Sequence, residues 1–98
     1  MTVTLKLERK LDFRAVSPLA AALLAAKGQD IALDAADTVQ IGTQSLQVIL
    51  AAAKTADSAG KSLRLLNLAD TATDQLALLG FQVADVEAGG DAVARGWQ

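Results

Sequence analysis

Polar and apolar residues alternate from the first positions of the chain. Over residues 2–7, Thr2, Thr4 and Lys6 are set against Val3, Leu5 and Leu7, the period-two pattern of a strand with one wet face. Glu8 and Arg9 interrupt it. Over residues 10–13, Leu11 and Phe13 share a side, which predicts a short second strand that folds back on the first as an N-terminal hairpin, although no Asn-Gly or Asp-Gly marks the turn. Ser17-Pro18 then reads as a helix start, with Ser17 as N-cap and Pro18 at the first helical position. Leu19, Ala22, Leu23 and Ala26 form one stripe, and Gly28 is its C-terminal stop.

Residues 30–34 predict the central strand, in which Ile31 and Leu33 alternate with Ala32, small enough to face a closely packed helix. The second helix is expected from residue 44 to about 58, with Leu46, Ile49, Leu50 and Ala53 in one core arc. Its opposite arc holds Gln44, Gln47, Val48, Ala51, Lys54 and Thr55, mostly small and uncharged, with Lys54 its one charge. Residues 62–66 predict another strand. Asn67, Asp70 or Thr71 is placed to cap a third helix that runs through Leu79, with Ala72, Leu76 and Leu79 inward and Gly80 at its end. Residues 82–86 fit an edge strand or a loop. Residues 87–98, with Gly89-Gly90, are expected to form a loosely held tail, apart from Trp97, a candidate to dock on the body.

Strands alternating with helices predict an α/β fold with a mostly parallel sheet. The expectation is one domain over residues 1–86, with a mixed four- or five-stranded sheet, the N-terminal hairpin and three main helices. One sheet face is expected to be only partly covered. At 98 residues the chain suffices for a modest core, and at 52 % hydrophobic with 3 % aromatic residues that core is aliphatic and alanine-rich.

Composition narrows the chemistry. The chain has no cysteine and no histidine, which removes thiol catalysis, disulfides, zinc fingers and the commonest general base together. No cofactor, metal site or catalytic residue is expected. A net charge of −2 without clustered Lys and Arg argues against nucleic acid and against an anionic membrane surface. The longest apolar run, residues 19–26, is too short to span a bilayer, and no signal-peptide pattern opens the chain, so a cytoplasmic protein is expected.

The junction between the central strand and the second helix, residues 41–50, concentrates the functional reading. Gly42 is taken to supply an unusual backbone angle, and Thr43 to be the helix N-cap. This layout resembles the STAS domain, the fold of anti-sigma-factor antagonists. Leu11-Asp12-Phe13 followed by Ser17-Pro18-Leu19 is similar to that family's second strand and first helix start. Thr43-Gln44-Ser45-Leu46 followed by Val48-Ile49-Leu50 is similar to its switch loop, and Leu78-Leu79-Gly80-Phe81 to its Leu-x-Gly-Leu/Phe close. The match runs from about residue 3 to 81.

The resemblance places Thr43 where the family carries its phosphorylated Ser or Thr. Gly42 stands where many members have Asp, Gln44 replaces a second hydroxyl residue, and Ser45 replaces a glycine. It implies a non-catalytic adaptor in signal transduction and transcription regulation. Such an adaptor binds an anti-sigma factor, a serine/threonine-type kinase or a chemotaxis-type histidine kinase. The contacts implied are Gly42, Thr43, Gln44, Ser45, Gln47, Val48 and Ala51. A phosphate adds about −1.5 to −2 charge at neutral pH, which a helix N-terminus tolerates but a partner packed against it does not.

Plainer readings stand beside these. Thr43 also fits a simple N-cap, and Ser45 a first-turn helix residue. Asp34 and Asp37 suggest a carboxylate pocket but lack a third carboxylate and a placed lysine, and fit turn residues better. Asp12 fits a structural cap. The alternative function is a constitutive STAS subunit of a larger assembly, such as a lipid-transport ATPase, with no phosphorylation; Gly42 and Gln44 lean that way. A small enzyme or ligand-binding domain ranks last.

Overall fold

The computed structural model describes residues 2–88 of the chain. The elements are β1 (Thr2–Lys6), β2 (Lys10–Leu11), α1 (Val16–Ala25), β3 (Asp30–Asp34), β4 (Gln40–Ile41), α2 (Thr43–Ser58), β5 (Leu63–Leu66) and α3 (Asp70–Leu78), with 3-10 turns at Phe13–Ala15 and Val83–Val86. The strands fall into two sheets, one of three strands in the order β1-β3-β5 and one pairing β2 with β4.

The N-terminal hairpin does not form, and among the described residues the named strands fall into two parallel sheets and not one mixed sheet. β1 pairs with β3, β3 with β5 and β2 with β4, all in parallel. Glu8 and Arg9 are not a turn: the chain keeps its direction through them, and segment 2–11 runs beside segment 30–41 as one interrupted ladder. Thr2 lies opposite Asp30, a separation of 28, and Lys10 opposite Gln40, a separation of 30, so the second segment carries two extra residues in between. The join is held by Leu7 N–H donating to Asp34 O at 2.8 Å, Val39 N–H to Arg9 O at 2.8 Å, and the buried Thr38 hydroxyl to Glu8 O at 2.9 Å. Among the described residues only Ala88 adds an antiparallel contact, an isolated bridge to Leu63.

The chain crosses from β1 through α1 to β3, and from β3 through α2 to β5. Right-handed crossovers that step in one direction keep successive helices on one face of the sheet. The core agrees: Leu19 and Leu23 of α1, Leu46 and Ile49 of α2 and Leu76 of α3 cluster with Ile31, Leu33 and Leu63. The other face shows Thr4, Lys6, Arg64 and Leu66 to solvent, so the expected partial covering of the sheet is observed.

Several boundaries differ from the sequence expectation. Phe13 is not on a strand: it begins a 3-10 turn and is 75 % exposed, with the Arg14 guanidinium 5.8 Å from its ring centre. Ser17 is not the cap of α1. Asp12 starts the turn earlier by accepting from Arg14 N–H at 3.0 Å, and the turn runs straight into the helix, leaving Ser17 and Pro18 in its first turn. The N-cap of α3 is Ala69. Asn67 instead sits at φ 59° and donates to the Asp34 carboxylate at 3.1 Å. Ala72 and Leu76 point inward as expected, but Leu79 lies past the helix and is partly exposed.

Residues 83–86 form a 3-10 turn, not a strand, with Val86 fully buried. Glu87 and Ala88, assigned to the tail, are packed: the Glu87 carboxylate accepts from Leu65 N–H at 2.8 Å and Ala88 is buried against Leu63. The rest of the expected tail, including Trp97, lies outside the described residues. Among the described residues no helix is long and apolar enough to cross a membrane.

Candidate functional site

The strand-to-helix junction is held from three sides. From the first, Gly42 N–H donates to Leu11 O at 2.8 Å, extending the β2–β4 ladder by one bond. From the second, α3 sends Gln75 across: its carboxamide oxygen accepts from Ile41 N–H at 2.6 Å and its amide donates to Val39 O at 2.6 Å. From the third, Leu46 N–H of α2 donates to Gly42 O at 3.0 Å, the first turn of the helix.

Two expectations about the turn are corrected. Gly42, not Thr43, is the N-cap, and Thr43 is the first helical residue. Gly42 has φ −87° and ψ 157°, extended backbone that any residue adopts, so no unusual angle is needed. What the position requires is room: a Cβ there would sit 2.8 Å from Leu11 O, a backbone atom that cannot swing aside. The glycine is explained by the close approach of two backbones.

No side chain caps the helix, so its first-turn amides lack both an intrahelical and a side-chain partner. Thr43 and Gln44 are exposed on that turn, and the Thr43 hydroxyl has no hydrogen-bond partner among the described residues. Gly42, Thr43, Gln44, Gln47, Val48 and Ala51 are brought together along one side of α2, as their spacing predicts. Ser45 is not among them, a correction to its expected partner contact. Its side chain is wholly buried and its hydroxyl lies 3.5 Å from Asp12 O, since the following residue on the helical screw turns toward the core.

The smooth arc on α2 is one wall of a groove, which the sequence did not show. Val48, Ala51, Ala52 and Thr55 face Ala20, Leu23 and Leu24 of α1 across a space of about 220 Å³ that runs down to Gln29 and Ile31. Leu24 is 70 % exposed at its rim. Val48 is half-buried in it, whereas Gln44, Gln47 and Ala51 stand open. Small side chains on both helices leave the space: alanines at these positions bring the helices near without filling the gap.

Beside the junction, Asp12 accepts from Arg14 twice, at Oδ1 from the backbone and at Oδ2 from the guanidinium, each at 3.0 Å. The Arg14 guanidinium holds the Asp12 carboxyl below its ordinary value of 3.8. Asp12 is thus a structural cap, as its position suggested. Asp34 and Asp37 do not form a carboxylate pocket. Asp34 Oδ1 accepts from Ala36 N–H and from Asn67, both bonds lowering its pKa, while Asp37 pairs with Lys6 at 2.9 Å. Among the described residues no group of three or more acidic side chains is placed to hold a metal ion.

Gln75 is the residue that sequence reasoning missed. The available signal was a carboxamide one position before Leu76 on the inward side of an otherwise aliphatic stripe, a place where a polar group needs a partner. Comparison with protein-family models, curated proteins and solved structures finds no match to the chain.

Proposed function

We propose that the protein is a non-catalytic adaptor that binds another protein through the Gly42-Thr43 junction and the exposed side of α2, in the manner of the anti-sigma-factor antagonists its sequence resembles. One observation carries the reading. A hydroxyl without a hydrogen-bond partner among the described residues stands exposed on the first turn of a helix whose junction is pinned from β2 and α3. The pinning supports a preformed surface, which lowers the ordering cost of association. A phosphate on Thr43 would be tolerated by the first-turn amides and would alter the partner's surface, not the fold. Gln44, Gln47, Val48 and Ala51 are the proposed contacts, and a kinase or anti-sigma factor the proposed partner.

The test is affinity capture from a native lysate with wild type, Gln47→Arg and Ala51→Glu, combined with kinase labelling of wild type and Thr43→Ala. The expected result is a partner retained by wild type and lost from both α2 variants, with label lost in Thr43→Ala. Equal capture by all three chains would remove α2 as the docking face. Equal labelling of wild type and Thr43→Ala would remove the switch.

A second reading, a constitutive subunit of a larger assembly, is favoured by Gly42. The 2.8 Å approach to Leu11 O leaves no space for the acidic side chain that many members of the resembled family carry there. On that reading the same face binds its partner equally well in wild type and Thr43→Glu.

A further inference from the structure

The two long edges of the three-stranded sheet are treated differently. On the β5 side, Leu63 and Ala88 exchange hydrogen bonds at 2.9 Å and the Glu87 carboxylate takes Leu65 N–H at 2.8 Å, so that edge is closed. On the β1 side, no described residue pairs with the strand. Leu7 N–H points at β3, donating to Asp34 O. By the alternation of a parallel ladder Val3 and Leu5 do the same, so the backbone groups of Thr2, Thr4 and Lys6 point outward. Such an edge is a template for another strand.

We propose that β1 pairs with β1 of a second copy, antiparallel about a two-fold axis at Thr4, joining two sheets into one of six strands. The strand is symmetric about Thr4 in the way this requires: Thr2 and Lys6 are exposed, and Val3 and Leu5 are half-buried. In that pairing Thr4 faces Thr4, Val3 faces Leu5 and Thr2 faces Lys6, so an isologous contact places apolar against apolar and no lysine against lysine.

Charge supports the same register. Thr2 lies beside Asp30 in the β1–β3 ladder. Asp30 Oδ1 takes both the backbone and hydroxyl bonds of Ser62, at 2.9 and 3.2 Å, while its second carboxylate oxygen has no hydrogen-bond partner among the described residues. Each copy therefore presents a carboxylate one strand in from the place where the second copy's Lys6 arrives, an ammonium that within one chain pairs with the exposed Asp37 at 2.9 Å and would be shared between the two. A register centred on Lys6 would instead oppose two ammonium groups. Val3 and Leu5, at the margin of the core, would gain cover from their counterparts.

Sedimentation equilibrium on the full chain tests the proposal. Wild type is expected to shift from 10.1 kDa toward twice that mass as concentration rises, in the manner of a small interface. Thr4→Pro removes an outward N–H and none that faces β3, so it is expected to stay monomeric with wild-type circular dichroism. The chain has no cysteine, so Thr4→Cys is expected to form an inter-chain disulfide at least about tenfold faster than Asp57→Cys on the exposed side of α2. Wild type that stays monomeric throughout would overturn the proposal, as would a folded Thr4→Pro that associates as wild type does. If Thr4→Pro does not fold, the cysteine pair decides: equal cross-linking rates at positions 4 and 57 would overturn it.

Discussion

Gln75 gives Ile41 the hydrogen bond that a neighbouring strand would have given. Its carboxamide oxygen accepts from Ile41 N–H at 2.6 Å while its amide donates to Val39 O at 2.6 Å, so one side chain reproduces both bonds of a strand partner. β4 has two residues and a single strand neighbour, β2. Without the carboxamide its second edge would carry an unpaired donor and acceptor beneath α3.

Replacing Gln75 by Ala therefore leaves the partly buried Ile41 N–H without its partner, while the exposed Val39 carbonyl can turn to water. Loss of about 1–3 kcal/mol is expected from urea unfolding, the range for stranding such a group. Amide exchange at Ile41 should speed up beyond the global change, because the bond lost is its own. Gln75→Glu keeps the acceptor for Ile41 N–H but turns an anion toward Val39 O. Its deficit should shrink in acid, where the protonated carboxyl again donates. Exchange at Ile41 unchanged in Gln75→Ala would show the clamp to be dispensable.

Gly42 and Gly28 resist the same substitution for different reasons. At Gly42 the backbone angle suits alanine but the new Cβ meets Leu11 O at 2.8 Å, so β2 and the junction must separate. About 1–3 kcal/mol is expected, as for overpacking in a rigid site. At Gly28 nothing lies within 4 Å, and the penalty is the left-handed φ of +87° alone, about 1–2 kcal/mol. Stability alone does not separate the two, but amide chemical shifts do. Gly42→Ala should move signals on both Leu11 and Gln44, whereas Gly28→Ala should stay local to the end of α1.

The alternation of residues 2–7, the aliphatic stripe of α2 and the strand at 30–34 each appear in the structure, because periodicity reports burial directly. Ala32, however, lies in register with Thr4 and Arg64 on the face away from the helices and not against a helix as expected. What escaped was the partner of each strand. The same period-two pattern serves a hairpin and a parallel crossover, and only the long-range fit of Leu7 to Asp34 and Val39 to Arg9 selects the second. Gly42 shows a related limit: composition marks a special backbone position but does not tell a positive φ from a close approach. The side of α2 that carries the candidate site was legible from helical spacing. Ser45 was misread because its polarity suggested the surface while its place on the screw put it in the core. The groove wall contributed by Leu24 depends on how α1 packs, which no local pattern encodes.

The two carboxylates that bracket β3 are expected, with Asp12, to contribute to the acid limb of stability. Asp30 is held below its ordinary value of 3.8 first by the Ser62 backbone N–H and then by its hydroxyl. Asp34 is lowered first by Asn67 and then by Ala36 N–H. A folded value below the unfolded one means that the stabilisation is complete above the unfolded value and is lost as pH falls through the folded one. Stability is thus expected to be flat near neutrality and to decline below about pH 4. Asp30→Asn retains an acceptor for Ser62 but no longer titrates. Its urea midpoint should fall less steeply than that of wild type on acidification, and parallel profiles would assign the acid limb to other groups.

Thr43 separates a structural cap from a surface kept for a partner. A capping threonine costs about 0.5–2 kcal/mol when replaced by alanine, because its oxygen serves a first-turn amide. Here the cap is Gly42, and the Thr43 side chain has no hydrogen-bond partner among the described residues. Thr43→Ala is therefore expected to change stability by no more than about 0.5 kcal/mol, as at other exposed positions. Thr43→Glu should stabilise by about 0.3–1 kcal/mol, since a negative charge on the first turn meets the positive end of the α2 dipole, and salt should reduce the gain. The two substitutions thus leave the fold intact, so any loss of partner binding in Thr43→Glu that Thr43→Ala does not share belongs to the charge itself. Thermal unfolding of the three chains at low and high salt supplies the check. A loss of more than about 1 kcal/mol in Thr43→Ala would return the residue to the capping role, and the case for a switch at this helix start would lose its footing.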